Sequence, residues 1–178
     1  MRVLSLSALA VGTILIASVP GAISQTTAPV SDSPASTSSW VAQIIAIVES
    51  QRQGRVIAIV PQTHRPHRYD VRFAGADHRD ITVFEIDVRT KRTISTHKPR
   101  LLERLFGYGD TDVRLALAAK LSITEAIQAA EAQARGRATK AAFRNDNGRP
   151  QYDIYVAHSG FAEHIRVDGT SGKASPTS

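Results

Sequence analysis

The residues with chemistry to offer are few and scattered. His64 and His67, in "HRPHR", stand at i, i+3 with Asp70 just beyond. Two imidazoles and a carboxylate are metal-ligand types, but a zinc site asks for a further protein ligand or a water in a shaped cavity. Pro66 and the flanking arginines instead fit a solvated hairpin tip. His158 and His164 flank a turn and are close enough in sequence to meet on one sheet edge. Ser159-Gly160 lacks the strand–turn–helix setting of a hydrolase nucleophile. Asp168, in "VDGTSG", has no second carboxylate or histidine close by in sequence. Its neighbours Thr170, Ser171 and Gly172 instead suit a turn in which the carboxylate accepts from backbone N–H groups two or three residues on. Glycine patterns for phosphate binding are absent. The single Trp40 reads as a core plug. No catalytic residue, no cofactor and no metal ligand is assigned on these grounds.

Those residues must be held by elements, and composition bounds what the elements can be. The chain has 178 residues, no cysteine and a net charge of +6. Without disulfides the fold rests on core packing. From Trp40 to Arg100 there are 11 Lys+Arg against 6 Asp+Glu, and from Leu101 onward 10 against 9, so the first half carries the excess. Such a balance draws anionic partners or serves solubility.

Arg2 precedes an uncharged apolar run from Val3 to Val19. Pro20-Gly21 and then Ala22-Ile23-Ser24 follow, the layout of an export signal cleaved after Ser24. The run is short of the roughly 20 residues of a membrane span. Residues 1–24 are thus expected to be a signal peptide, with an uncleaved anchor helix as the alternative. Export makes nucleic acid an unsuitable partner. No membrane-spanning segment is expected after cleavage, and peripheral membrane contact stays open. Residues 25–38, rich in Ser, Thr, Pro and Ala, are expected to be a disordered linker. What remains is one domain or two very small ones.

The remainder repeats. An offset of 82 residues lays "VAQIIAIVESQRQGRVIAIV" (41–60) over "ITEAIQAAEAQARGRATKAA" (123–142) without a gap. Glu49 meets Glu131, Gln51 meets Gln133, Gly54 meets Gly136 and Arg55 meets Arg137. "YDVRF" (69–73) then matches "YDIYV" (152–156), and "EIDVRTKRTIS" (85–95) matches "RVDGTSGKAS" (166–175). Each copy opens with a helix. In the second, Ile123, Ala126, Ile127, Ala130 and Ala134 form one apolar stripe. Ser122 and Glu125 make a capping box, and Gly136 is expected to close the helix as a left-handed C-cap. Val41, Ile44, Ile45 and Val48 form the first stripe, with Gly54 as its stop. Three strands are expected after each helix. In the second copy they fall near 137–144, 151–157 and 161–168, with Asn147-Gly148 as a tight turn. Tyr152, Ile154 and Val156 share one face, as do Phe161, Ile165 and Val167. The final turn runs Asp168 to Gly172. Its counterpart is Asp87-Val88-Arg89-Thr90-Lys91, where Lys91 in place of glycine predicts a strained or differently shaped turn.

A helix, a Tyr-x-Ile/Val-x-Val/Phe strand and an Asp-x-x-Ser/Thr-Gly turn in this order resemble the PepSY domain. "LSITEAIQAAEAQARG", "NGRPQYDIYV" and "IRVDGTSGKAS" carry the resemblance in residues 119–175. Residues 39–95 resemble a degenerate copy. The motif positions are Gly54, Tyr69, Asp87 and Thr90 in the first, and Gly136, Tyr152, Asp168, Ser171 and Gly172 in the second. The resemblance implies an α+β fold of two PepSY-like units, each a helix packed on a three-stranded antiparallel sheet. It implies no catalytic residues. It also implies an exported or envelope protein that binds and modulates another, such as a peptidase. A small-ligand or metal-binding envelope protein, or a structural envelope component, are the alternatives. Residues 96–118 are expected to be a partly helical connector packed across both units. Leu101, Leu102, Leu105 and Phe106 suggest one short amphipathic helix, and 112–119 suggest another turn.

Overall fold

In the computed structural model the described residues are 40–77, 80–99 and 108–177. The expected signal peptide, the linker and the helix around Leu101–Phe106 lie outside them. Three helices and eight strands follow in the order α1 (Trp40–Glu49), β1 (Gly54–Pro61), β2 (Arg68–Gly75), β3 (Ile81–Asp87), β4 (Arg92–His97), α2 (Asp110–Ala118), α3 (Ile123–Ala134), β5 (Arg137–Asp146), β6 (Arg149–His158), β7 (Phe161–Asp168) and β8 (Ala174–Pro176). The architecture is α+β. One antiparallel sheet runs β4-β3-β2-β1-β5-β6-β7-β8, and the helices pack against it.

Helix α3 forms where periodicity and capping agree. All five residues of its stripe are buried. The Ser122 hydroxyl accepts from the Glu125 N–H at 3.2 Å, and the Glu125 carboxylate accepts from the Ser122 N–H at 2.7 Å. Val41, Ile44, Ile45 and Val48 are buried likewise in α1. The two stripes meet Phe73, Phe84, Ile154, Ile165 and Val167 in one core that draws on both halves of the chain.

Two expectations are corrected here. Four strands follow each long helix, not three. The turns after Asp87 and Asp168 fold the chain back alongside the sheet as edge strands β4 and β8. Neither edge strand shows an alternating apolar pattern, because neither buries a full face. The glycines also act differently from C-caps. Arg135 takes the left-handed conformation at the end of α3, at φ 53°, and α1 ends five residues before Gly54. Both glycines stand at strand starts pressed against a neighbouring strand. A Cβ on Gly54 would lie 2.1 Å from the Ala74 carbonyl oxygen, and one on Gly136 2.5 Å from that of Ala157.

A few local contacts recur in the two halves of the chain. The Glu49 carboxylate accepts from the Val56 N–H at 3.0 Å, and the Glu131 carboxylate accepts from the Ala138 N–H at 2.8 Å. Each first strand carries a bulge at the same place, between Val56 and Ala58 and between Ala138 and Lys140. The halves join where β1 pairs with β5, Ile59 facing Ala141 and Ala58 facing Ala142. Ile59 and Ala141 are also partners under the 82-residue offset, so the junction places equivalent residues face to face.

Candidate functional site

The motif residues come first. Asp168 Oδ1 accepts from the N–H groups of Thr170 (2.9 Å) and Ser171 (2.7 Å) and from the Ser171 hydroxyl (3.0 Å). Gly172 sits at φ 76° and donates its N–H to the Asp168 carbonyl at 2.9 Å. The Ser171 amide first, then that of Thr170, hold the Asp168 carboxyl below its ordinary 3.8. This is a carboxylate fully used in closing a turn. Asp87 does the same with Arg89 and Thr90, at 2.9 and 3.1 Å, and Lys91 adopts φ 55°. The first turn therefore keeps the same shape and bears the strain in a lysine.

Tyr152 is buried and donates its hydroxyl to the Leu121 carbonyl at 2.6 Å, tying β6 to the start of α3. Burial pushes its pKa up to about 12, so it stays a neutral donor. Tyr69, half-buried, packs on Trp40 with ring centroids 4.7 Å apart. Gly54 and Gly136 allow close strand approach. All nine motif positions are accounted for by turns, strand packing and helix attachment.

The histidines do not gather. His64 and His67 are exposed in the β1–β2 loop. Among the described residues no three metal-capable side chains come together. His158 and His164 do not meet: His158 faces Phe161 and His164 faces Tyr155, and those two β6 positions alternate to opposite sides of the sheet. His158 lies 3.7 Å from Glu163. Phe161 is also unlike its expected role. It is 74% exposed, while Ile165 and Val167 are buried. It sits at the β6–β7 hairpin tip, past the end of the helix that covers the other two.

Sequence reasoning missed a cluster on the sheet face opposite the motif tyrosine. Asp153 on β6 is its centre. His164 Nε2 lies 3.0 Å from Asp153 Oδ1, Arg166 Nε 3.4 Å from the same oxygen, and Arg144 Nη1 3.5 Å from Oδ2. The imidazole of His164 stacks on Tyr155, centroids 4.6 Å apart and planes 3° from parallel. The Lys140 ammonium stands 4.9 Å from the Tyr155 ring centroid. A signal for this was present. A two-residue turn at Ser159-Gly160 sets β6 against β7 in register, which pairs Asp153 with Arg166 and Tyr155 with His164. These are the outward positions of "YDIYV" and "EHIRV".

The first half holds a different set at the same places in the sheet. There β1–β3 carry Ala58, Asp70, Arg72, Val83 and Glu85, with Gln62 just past the end of β1. Only the aspartate recurs, and Asp70 accepts from the Gln62 amide at 2.7 Å. Arg65 and Arg68 of that half both bind Glu85, and the Arg68 hydrogen bond above all keeps the Glu85 carboxyl below its usual range.

Residues 120–174 match the model of the PepSY family, described as peptidase propeptide and YPEB domain. Domains of this family are modules of extracellular and envelope proteins, linked to peptidase propeptides. Among solved structures, a "putative lipoprotein" of Clostridium difficile 630 is similar at 16% identity and a TM-score of 0.43, covering 78% of this chain and 93% of that one. Among curated proteins no match is found.

Proposed function

We propose that this is an exported, non-enzymatic binding module that modulates a peptidase or another protein of the cell envelope. The observation that carries the reading is the PepSY domain at 120–174. Among the described residues no helix is long and apolar enough to cross a membrane.

The reading includes two PepSY-like units, 39–95 and 119–175, copied from one ancestor and fused edge to edge. The repeated carboxylate-to-strand bonds of Glu49 and Glu131 support it. So do the matching bulges and the pairing of Ile59 with its own counterpart Ala141.

Crosslinked capture of partners from the envelope fraction, followed by proteolysis assays on the recovered peptidases with and without the protein, tests the function. A recovered peptidase whose activity changes with the protein present is the expected outcome. Failure to recover one, with proteolysis unchanged, overturns the reading.

A further inference from the structure

We propose that the open face of β5–β7, centred on Arg144 and Arg166, docks an acidic segment of the protein partner. This rests on the protein-binding reading above and assigns it a surface and a chemistry.

The cluster joins three permanent cations, Lys140, Arg144 and Arg166, to one carboxylate, Asp153. His164 adds a further charge when protonated. Asp153 fixes the cations in place without using them up. Arg144 meets it through Nη1 alone and Arg166 through Nε alone. The remaining guanidinium nitrogens have no hydrogen-bond partner among the described residues. An arginine held on one side with its other nitrogens outward is ready for paired bonds to an incoming carboxylate. The side chains remain reachable, 48% exposed for Arg144 and 33% for Arg166. Stacking on His164 holds Tyr155 upright beside them.

The fold does not require this arrangement. The same positions in the first half hold Ala58 for Lys140, Gln62 for Arg144, Val83 for His164 and Glu85 for Arg166. Arg72 stands there in place of Tyr155, and Arg65 and Arg68 of that half are turned onto Glu85. A cluster that the scaffold can omit is free to serve recognition.

The chemistry favours an acidic peptide over a bilayer. Interfacial binding joins basic residues to apolar groups that insert among lipids. Among the described residues the exposed large apolar side chains are Ile94 and Phe161. Ile94 lies on the far edge strand, and Phe161 alternates to the opposite face from Arg166. The face offers forks and flat rings without an inserting side chain.

The test uses the full chain and a glutamate homopeptide as probe, read by calorimetry at low and moderate salt. Vesicles of anionic lipid and inorganic phosphate are parallel arms. Saturable, salt-sensitive binding of the peptide is expected, weakened at least about tenfold in the Arg144→Gln/Arg166→Gln variant and unchanged in Arg89→Gln. Equal loss in the Arg89→Gln control, no peptide binding, or vesicle binding that outlasts the double substitution overturns the proposal. Crosslinked capture repeated with the double variant separates the two readings. A peptidase still recovered at full yield leaves the module's function standing and removes this surface.

Discussion

Asp168 shows how far one side chain can be committed to structure. Its carboxylate accepts from two backbone amides and one hydroxyl, and its pKa is lowered by them. Asp87 and Glu125 are lowered too, chiefly by the amides of Thr90 and Ser122. A group whose folded pKa lies below its unfolded one contributes stability that is complete above the unfolded value. That contribution is lost as pH falls through the folded value. The protein is therefore expected to lose thermal stability as pH drops from about 5 toward about 2. Asp168→Asn should lower the midpoint at neutral pH and flatten this acid limb. Melting curves across the range decide it; a variant as acid-labile as the parent would assign the effect elsewhere. The sister turn allows a converse prediction. Lys91 holds the positive φ that Gly172 holds without a Cβ. Lys91→Gly is expected to stabilise by up to about 1 kcal/mol, the relief of a left-handed non-glycine residue exceeding the added freedom of the unfolded chain. Denaturant midpoints of the two proteins measure it.

At the scale of elements, the segment between the halves shows how one side chain anchors a helix. Helix α2 lies on β5 and β1, and Val113 and Ala116 enter the core. Tyr108, partly buried, donates its hydroxyl to the Phe143 carbonyl at 2.9 Å. Arg55 on β1 completes the attachment. Its Nη1 donates to the Ala119 carbonyl at 2.6 Å and reaches those of Ala116 and Leu121 at 3.3 and 3.4 Å. A cation at the C-terminus of a helix answers both the free carbonyls and the dipole. Arg55→Met is expected to cost about 1–3 kcal/mol, while Arg137→Met, at the exposed counterpart, stays within about 0.5 kcal/mol. Urea denaturation of both variants checks the contrast. The repeat aligned Arg55 with Arg137 but could not show that only one finds a helix end. The same limit explains the other misses. Ile123 to Ala134 was legible because burial follows the helical period. Strand β4 was not: in "RTISTH" only Thr93 is even half-buried, so packing imposes no alternation on it. The Asp153 cluster was missed because outward-facing polar residues leave no periodic trace until strand register is known.

For the whole molecule, the question is whether two similar halves make one folding unit. A free edge on β1 or β5 would be a ladder of unpaired N–H and C=O groups; each instead closes the other. The buried run Val56-Ile57-Ala58-Ile59 already marks β1 as an interior strand, since a strand covered on both sides reads as continuous apolar sequence. Helix α1 touches α3, one core serves both halves, and the described residues fall in one compact unit. Separating the halves would expose that core and open the ladder together, so no half-unfolded state escapes both costs. The expected result is a single calorimetric transition whose measured enthalpy equals the van't Hoff value. Ala141→Pro tests the junction directly. It removes a donor and inserts a ring where Ile59 pairs in the middle of the sheet. That change is expected to lower stability of the entire molecule by about 3 kcal/mol or more, with the transition still single. Two resolved transitions, or loss of the first half's melting alone, would show that the halves fold as neighbours and not as one body.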